Sequence, residues 1–241
     1  MTQRALPGAA TQLVIFDLMG TLICDDGVVD RAYVAALEQA GIPSDSHEFS
    51  NALVRIGELR GRPTLVVLTE VLKNRVLAEE ATWAFDDSIL ESVSEMEPIP
   101  GAPELLRRLD ESGILTAVTT SFTPEVRKAV LSQCGWTESF AIALSTHGRR
   151  RGHPAPDLLL EAILELGIDS VAQVAIVGDS PTDLQAGNRA GAGIVVGVST
   201  GGVPLEKLEA APHTHLIDSV ADLEEVLRSP RTDGARRASD K

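Results

Sequence analysis

The stretch Leu13–Val14–Ile15–Phe16–Asp17–Leu18–Met19–Gly20–Thr21 decides how this chain is read. Its apolar, partly β-branched run is too short for a helix and reads as a buried strand. Gly20 then permits a sharp turn where a side chain would clash. Asp17 is thereby expected at the carboxyl end of a strand, where open α/β sheets hold their ligands. A carboxylate there can act as metal ligand or covalent nucleophile. The plainer role of turn former or helix cap is equally open to this one motif.

A second acidic site favours the chemical role. Val174–Ala175–Ile176–Val177 is another continuous apolar strand, running into Gly178–Asp179–Ser180–Pro181–Thr182–Asp183. Pro181 suits the first turn of a following helix. Asp183 falls four residues after Asp179, so both carboxylates can share one side of the helix entrance. Hard oxygen ligands of this kind are those that Mg²⁺ accepts.

Four motifs in this order resemble the haloacid dehalogenase superfamily, over nearly the whole of residues 12–228. Asp17-x-x-Gly20-Thr21 resembles the nucleophile loop. Thr116–Ala117–Val118–Thr119–Thr120–Ser121 resembles the strand that ends in a phosphate-binding hydroxyl. His153–Pro154–Ala155–Pro156–Asp157 stands where the family has a basic residue before Pro-x-Pro, and Gly178–Asp179 through Asp183 resembles its acidic metal motif. The resemblance implies Asp17, Thr120 and His153 as catalytic residues, with Thr119 as the alternative motif-two hydroxyl and Ser121 as a further substrate contact. It implies Mg²⁺ held by Asp17, the Met19 carbonyl, Asp179 and Asp183.

Two departures bear on the chemistry. Phosphatases of the superfamily carry a second Asp two residues after the nucleophile, as general acid and then base. Here that residue is Met19, which carries no proton. A non-acidic residue there resembles the phosphonatase-like branch, as do Cys24–Val29, Thr119–Phe122 and Ala211–His215. That branch's imine-forming lysine has Gly57–Glu58–Leu59–Arg60 as its matching segment, and arginine forms no imine under ordinary conditions. Arg60 is instead expected to contact substrate; Glu58 and Arg62 could face the site or line the polar side of a helix. In the third motif His153 replaces the usual Arg or Lys. One of Arg149, Arg150 and Arg151, Arg151 foremost, could take over the anion contact, unless the run is a solvated loop. His213 and His215 have no Cys or His neighbours that would make a metal site.

Composition sets outer bounds. The 241 residues can bury one α/β core and carry a smaller insertion. A net charge of −14 disfavours nucleic acid or an anionic membrane as partner, yet allows a small anionic substrate in a locally reversed field. Cys24 and Cys134 suit reduced thiols. Residues 1–11 hold no signal-peptide core and no apolar run reaches membrane-spanning length. A cytoplasmic protein is expected, with an apolar cap surface that would permit a homodimer.

The expected fold is α/β: a Rossmann-like, doubly wound parallel sheet with a small inserted helical cap. Core segments are placed at 12–24 and 98–228, the cap at 25–97, and a disordered polar tail at 229–241. Cap helices are expected over Arg31–Ala40 (stopped by Gly41), Ser50–Leu59, Thr64–Lys73 and Ala81–Met96. The leading function is a Mg²⁺-dependent hydrolase of a small phosphorylated or phosphonate metabolite. A halide-removing enzyme is disfavoured by the acidic pair, and a non-catalytic binding protein is the reading from another class.

Overall fold

In the computed structural model, which describes residues 11–146 and 150–228, Leu13–Phe16 forms β1 at the centre of a six-stranded sheet. All four of its residues are buried, because the strand is paired on both edges and covered on both faces. The remaining strands are β2 (Leu115–Thr120), β3 (Ile142–Ser145), β4 (Val174–Gly178), β5 (Ile194–Val198) and β6 (His215–Ile217). Every pairing is parallel and the order is β3-β2-β1-β4-β5-β6. The chain winds outward from β1 to β3, then crosses back to β4 on the other side of β1. The carboxyl ends of β1 and β4 therefore flank the topological switch point, where such a sheet opens a crevice.

Between β1 and β2 run α1 (Val28–Gln39), α2 (His47–Glu58), α3 (Thr64–Leu72) and α4 (Arg75–Ser92), then α5 (Ala102–Glu111). The core continues with α6 (Pro124–Gln133), α7 (Asp157–Glu165), α8 (Pro181–Ala190), α9 (Leu205–Glu209) and α10 (Leu223–Arg228). Leu13, Ile15 and Ile176 face α7 and α8, whereas Val14, Phe16 and Val177 face α5, α6 and α10. That alternation covers the sheet on both faces. The second cluster runs on without a break into α1–α4 through Ala32, Phe49, Val67 and Phe85.

Several helix ends differ from the sequence expectation, and one helix is additional to it. α4 begins at Arg75 rather than Ala81, because the Asn74 side chain accepts from the Val76 and Leu77 amides. α2 begins at His47, capped by Ser46 through the Phe49 amide. α9 was not expected at all: its five residues are too few to show a period. Cys24 and Cys134 are free thiols. Among the described residues no helix is long and apolar enough to cross a membrane. The expected disordered tail at 229–241, Arg149 and residues 1–10 lie outside the described residues.

Candidate active site

Asp17 directly follows β1 and Asp179 directly follows β4. Phe16 lies opposite Val177 in register, and the Asp17 amide donates to the Val177 carbonyl at 2.9 Å, so the two strand ends are level. Asp183 stands in the first turn of α8. Carboxylate oxygens of Asp17, Asp179 and Asp183 lie within 4.8 Å of one another. The approach is close because side chains are missing around it. A Cβ on Gly20 would lie 2.7 Å from Asp179 Oδ2, one on Gly201 only 1.7 Å from it, and one on Gly178 2.3 Å from Asp183 Cβ.

Crowding the three carboxylates out of water raises the proton affinity of Asp17 and Asp179. Burial, then the charges of Asp183 and Asp179, holds the Asp17 carboxyl well above the usual carboxylate range. Burial and Asp183 push Asp179 up to about 8, opposed by Arg60, its own backbone amide and the Thr21 hydroxyl, which donates to Asp179 Oδ1 at 3.2 Å. Asp183 is the member whose oxygens are both engaged. Its Oδ2 accepts from the Ser180 amide at 2.9 Å and the Ser180 hydroxyl at 2.7 Å, and its Oδ1 lies 2.6 Å from His153 Nδ1. Ser180 and Asp183 form a reciprocal cap on α8.

The cleft above this cluster is also lined by Met19, Thr120, Ser121, His153 and Arg60. Thr120 Oγ1 accepts from the Phe122 amide at 3.2 Å, which leaves its hydroxyl proton free for a ligand. His153 is buried and its Nε2 has no partner. Tyr33, Phe85 and Phe122 form an apolar wall, with ring centroids 4.8 Å and 6.3 Å apart. Burial pushes the Tyr33 phenol up to about 12. Arg60 reaches in from the segment after α2, bound to Asp25 and, through Nη1 at 3.1 Å, to Asp30.

Two expected contacts are not brought together with the rest. Thr119 is adjacent to Thr120 and so points to the opposite face of β2; its buried hydroxyl is unpartnered and does not line the cleft. Arg151 turns away: its guanidinium and backbone amide bind Asp157 at the start of α7, and its side chain is 74% exposed. Arg150 is likewise taken, by Glu161. Glu58 pairs with Arg55 outside the cleft. His213 and His215 bond to Ala211 and Thr214, far along the sheet. Thr21, Tyr33, Ser180 and Thr146 line or brace the site without having been singled out. Of these, the Ser180-x-x-Asp183 cap was readable from its spacing.

The covering loop fits the core tightly. A Cβ on Gly61 would meet Thr182 Oγ1 at 2.2 Å, and one on Gly152 would meet Pro63 Cγ at 2.4 Å. The enclosed cleft is correspondingly small, about 80 Å³.

A model of haloacid dehalogenase-like hydrolases matches residues 11–191. The chain is 29% identical over 217 residues to a protein of Dickeya dadantii (strain 3937) named probable phosphatase IndB, covering 88% of this chain and 91% of that one. It is 33% identical over 170 residues to the phosphonoacetaldehyde hydrolase of Bordetella pertussis, covering 59% of this chain and 60% of that enzyme. A solved structure of a hydrolase from Pseudomonas syringae superposes with a TM-score of 0.78 at 24% identity, over 90% of this chain and 97% of that one. At that identity the likeness speaks for the fold.

Proposed function

Since the chain belongs to the haloacid dehalogenase-like hydrolases, we propose that it is a Mg²⁺-dependent hydrolase of a small phosphorylated or phosphonate metabolite, with Asp17 as nucleophile. The observation that carries this reading is the convergence of Asp17, Asp179 and Asp183 within 4.8 Å, in a cleft that also holds Thr120 and His153.

A divalent cation fits the residues present. Asp17 and Asp179 are hard oxygen donors whose raised proton affinities express burial and then mutual repulsion, both of which a cation would offset. Asp17, the Met19 carbonyl and Asp179 would hold it. Asp183, with both oxygens occupied, would support the site from behind by orienting His153 and the turn at Ser180. When bound, Mg²⁺ would neutralise the carboxylates and the charge developing on the transferring phosphoryl group.

In the proposed reaction the Asp17 carboxylate attacks phosphorus in line. The bond to the leaving group breaks with its electron pair, and the phosphoryl group rests on Asp17 until water releases it as phosphate. Thr120 donates its hydroxyl to one phosphoryl oxygen. His153 is held at Nδ1 by Asp183 Oδ1, and its unpartnered Nε2 would meet the phosphoryl group. The helices α1–α4 act as a cap, placing Arg60 over the cleft and the aromatic wall against water. Met19 supplies no proton, so the reading favours leaving groups that need none: acyl or aryl phosphates, or a stabilised carbanion.

The test is turnover of a panel of phosphate and phosphonate esters with Mg²⁺ and with EDTA, on the parent and on Asp17→Asn. Mg²⁺-dependent phosphate release that Asp17→Asn abolishes, while the variant stays folded, is the expected result. Full activity in Asp17→Asn excludes the covalent route, and no turnover of any ester leaves the binding-protein reading standing.

A further inference from the structure

The cleft around Asp17 has room for little more than a phosphoryl group, about 80 Å³, yet it is not closed on all sides. Arg62, Thr64, Ser121, Thr146 and His153 form a wall that it shares with a second cavity of about 780 Å³. That volume falls within the roughly 300–1,000 Å³ usual for small-molecule sites. We propose that this side cavity receives the rest of the substrate, and that it selects molecules carrying a second anionic group beyond a short apolar spacer. The proposal rests on the hydrolase reading above and adds the substrate class.

The charge of the wall points to an anion. In a chain of net charge −14, the cavity is lined by Arg62, Arg75, Arg150, Arg151 and Arg189, with Asp86 as its acidic member. These arginines are not equally available. Arg150 and Arg151 are forked by Glu161 and Asp157, and Arg75 is paired with Glu79. Arg62 stands 3.8 Å from Glu70, beyond hydrogen-bond reach. Arg189 donates one Nη1 bond to the Pro154 carbonyl at 2.7 Å and has no carboxylate partner among the described residues. One guanidinium, loosely paired with Glu70, thus comes from the helical cap, and one without a carboxylate partner among the described residues comes from α8 of the core. A planar fork of donors is suited to carboxylate or phosphate oxygens.

The remaining lining explains the spacer. Pro63, Leu65 and Val66 present apolar surface to the cavity, and Val66 is 47% exposed despite its chemistry. A second polar signal lies in the shared wall. His153 is 8% exposed and its Nε2 is buried with no partner, as expected of an atom that a ligand completes. A substrate running from Asp17 past His153 into the side cavity would satisfy that atom and then place its far end between Arg62 and Arg189.

The experiment compares three aryl phosphates on the Mg²⁺-loaded full chain: 4-carboxyphenyl, 4-phosphonophenyl and 4-carbamoylphenyl phosphate. The carbamoyl compound keeps the shape and removes the distal charge. A charge-assisted contact predicts kcat/KM higher by about tenfold for at least one of the anionic esters, and which one separates a carboxylate from a second phosphoryl group. Arg189→Gln should erase that preference, read as the ratio of kcat/KM for the charged ester to that for the carbamoyl ester. Val66→Glu, which puts a like charge in the same wall without touching Arg189 or Pro154, should reverse it. Equal kcat/KM for the charged and neutral esters in the parent overturns the proposal, as does a preference that survives both variants. If no ester is turned over, the reaction has failed rather than the subsite. Calorimetric titration with 4-carboxybenzylphosphonate against its carbamoyl analogue then decides, with equal affinities overturning the proposal.

Discussion

Replacing Gly61 by alanine should separate closure of the loop after α2 over the core from folding of the chain. Gly61 has φ +84° and its missing Cβ would lie 2.2 Å from Thr182 Oγ1, 2.4 Å from Ser180 Oγ and 2.9 Å from Ser180 Cβ. Ser180 cannot simply step aside, because its hydroxyl holds Asp183 Oδ2 at 2.7 Å and contacts Thr182 Oγ1 at 2.8 Å. Two costs follow. A positive φ in alanine costs about 1–2 kcal/mol, and it belongs to the fold of the loop. The overlap with Ser180 and Thr182 costs about 1–3 kcal/mol more, by analogy with overpacked cores, and it applies only while cap and core are closed. The loop relieves the second cost by lifting away, so it appears as a closure penalty of roughly 5- to 150-fold in kcat/KM. Gly41 provides the control, since its φ is +78° and nothing lies within 4 Å of its absent Cβ. Thermal unfolding and steady-state kinetics on Gly61→Ala and Gly41→Ala are the assay. Both should lose similar stability and only Gly61→Ala should lose activity. Equal kcat/KM in both would refute the argument that this closed contact belongs to the reactive state.

Three further outcomes are expected. Asp179 is pushed up to about 8 by burial and by Asp183, above its unfolded value near 3.8. The native chain therefore keeps a proton that the unfolded chain releases, and metal-free stability should fall as pH rises between about 4 and 8. Added Mg²⁺ should raise the Tm more at pH 8 than at pH 5.5; an increment independent of pH would count against cation binding there. Met19→Asp restores a proton carrier worth typically about 10²–10⁴-fold, so alkyl-phosphate turnover should rise more than aryl-phosphate turnover. A leaving-group series that is flat in the parent and unchanged in the variant would show that another acid is at work. Arg60, held by Asp25 and Asp30, should form no imine, so phosphonoacetaldehyde with borohydride should leave the protein mass unchanged. A reduced adduct on Lys73, the one lysine between residues 25 and 97, would contradict this.

How far the site was legible depended on how local each signal was. Asp17 and Asp179 were readable because each ends a continuous apolar strand, and strand ends are set by neighbours in sequence. The place of His153 was readable from its motif, and the structure adds its buried partner Asp183. The choice between Thr119 and Thr120 was not, since it turns on which face of β2 meets the cleft and period two says only that they differ. The direction of Arg151 was not legible for a similar reason: a charge run carries none, and Asp157 at the start of α7 binds the guanidinium. Helix starts at His47 and Arg75 slipped because their caps, Ser46 and Asn74, precede the first apolar residue.

By itself the sequence determined the alternation of strand and helix after residue 98, the helical block before it, and which carboxylates stand at strand ends. These follow from hydrophobic period, proline, glycine and capping residues, each acting over a few positions. Only the tertiary structure decided that β4 lies beside β1, and hence that Asp179 comes within reach of Asp17 from 162 positions away in the chain. It alone decided that Gly61 and Gly152 bring the loop after α2 against the core, that His153 lines the cleft with Nε2 unpartnered, and that Arg62 and Arg189 flank one cavity. Such contacts arise from the order of strands and the packing of helices on them. Many sequences share that packing, and no window of neighbouring residues encodes it.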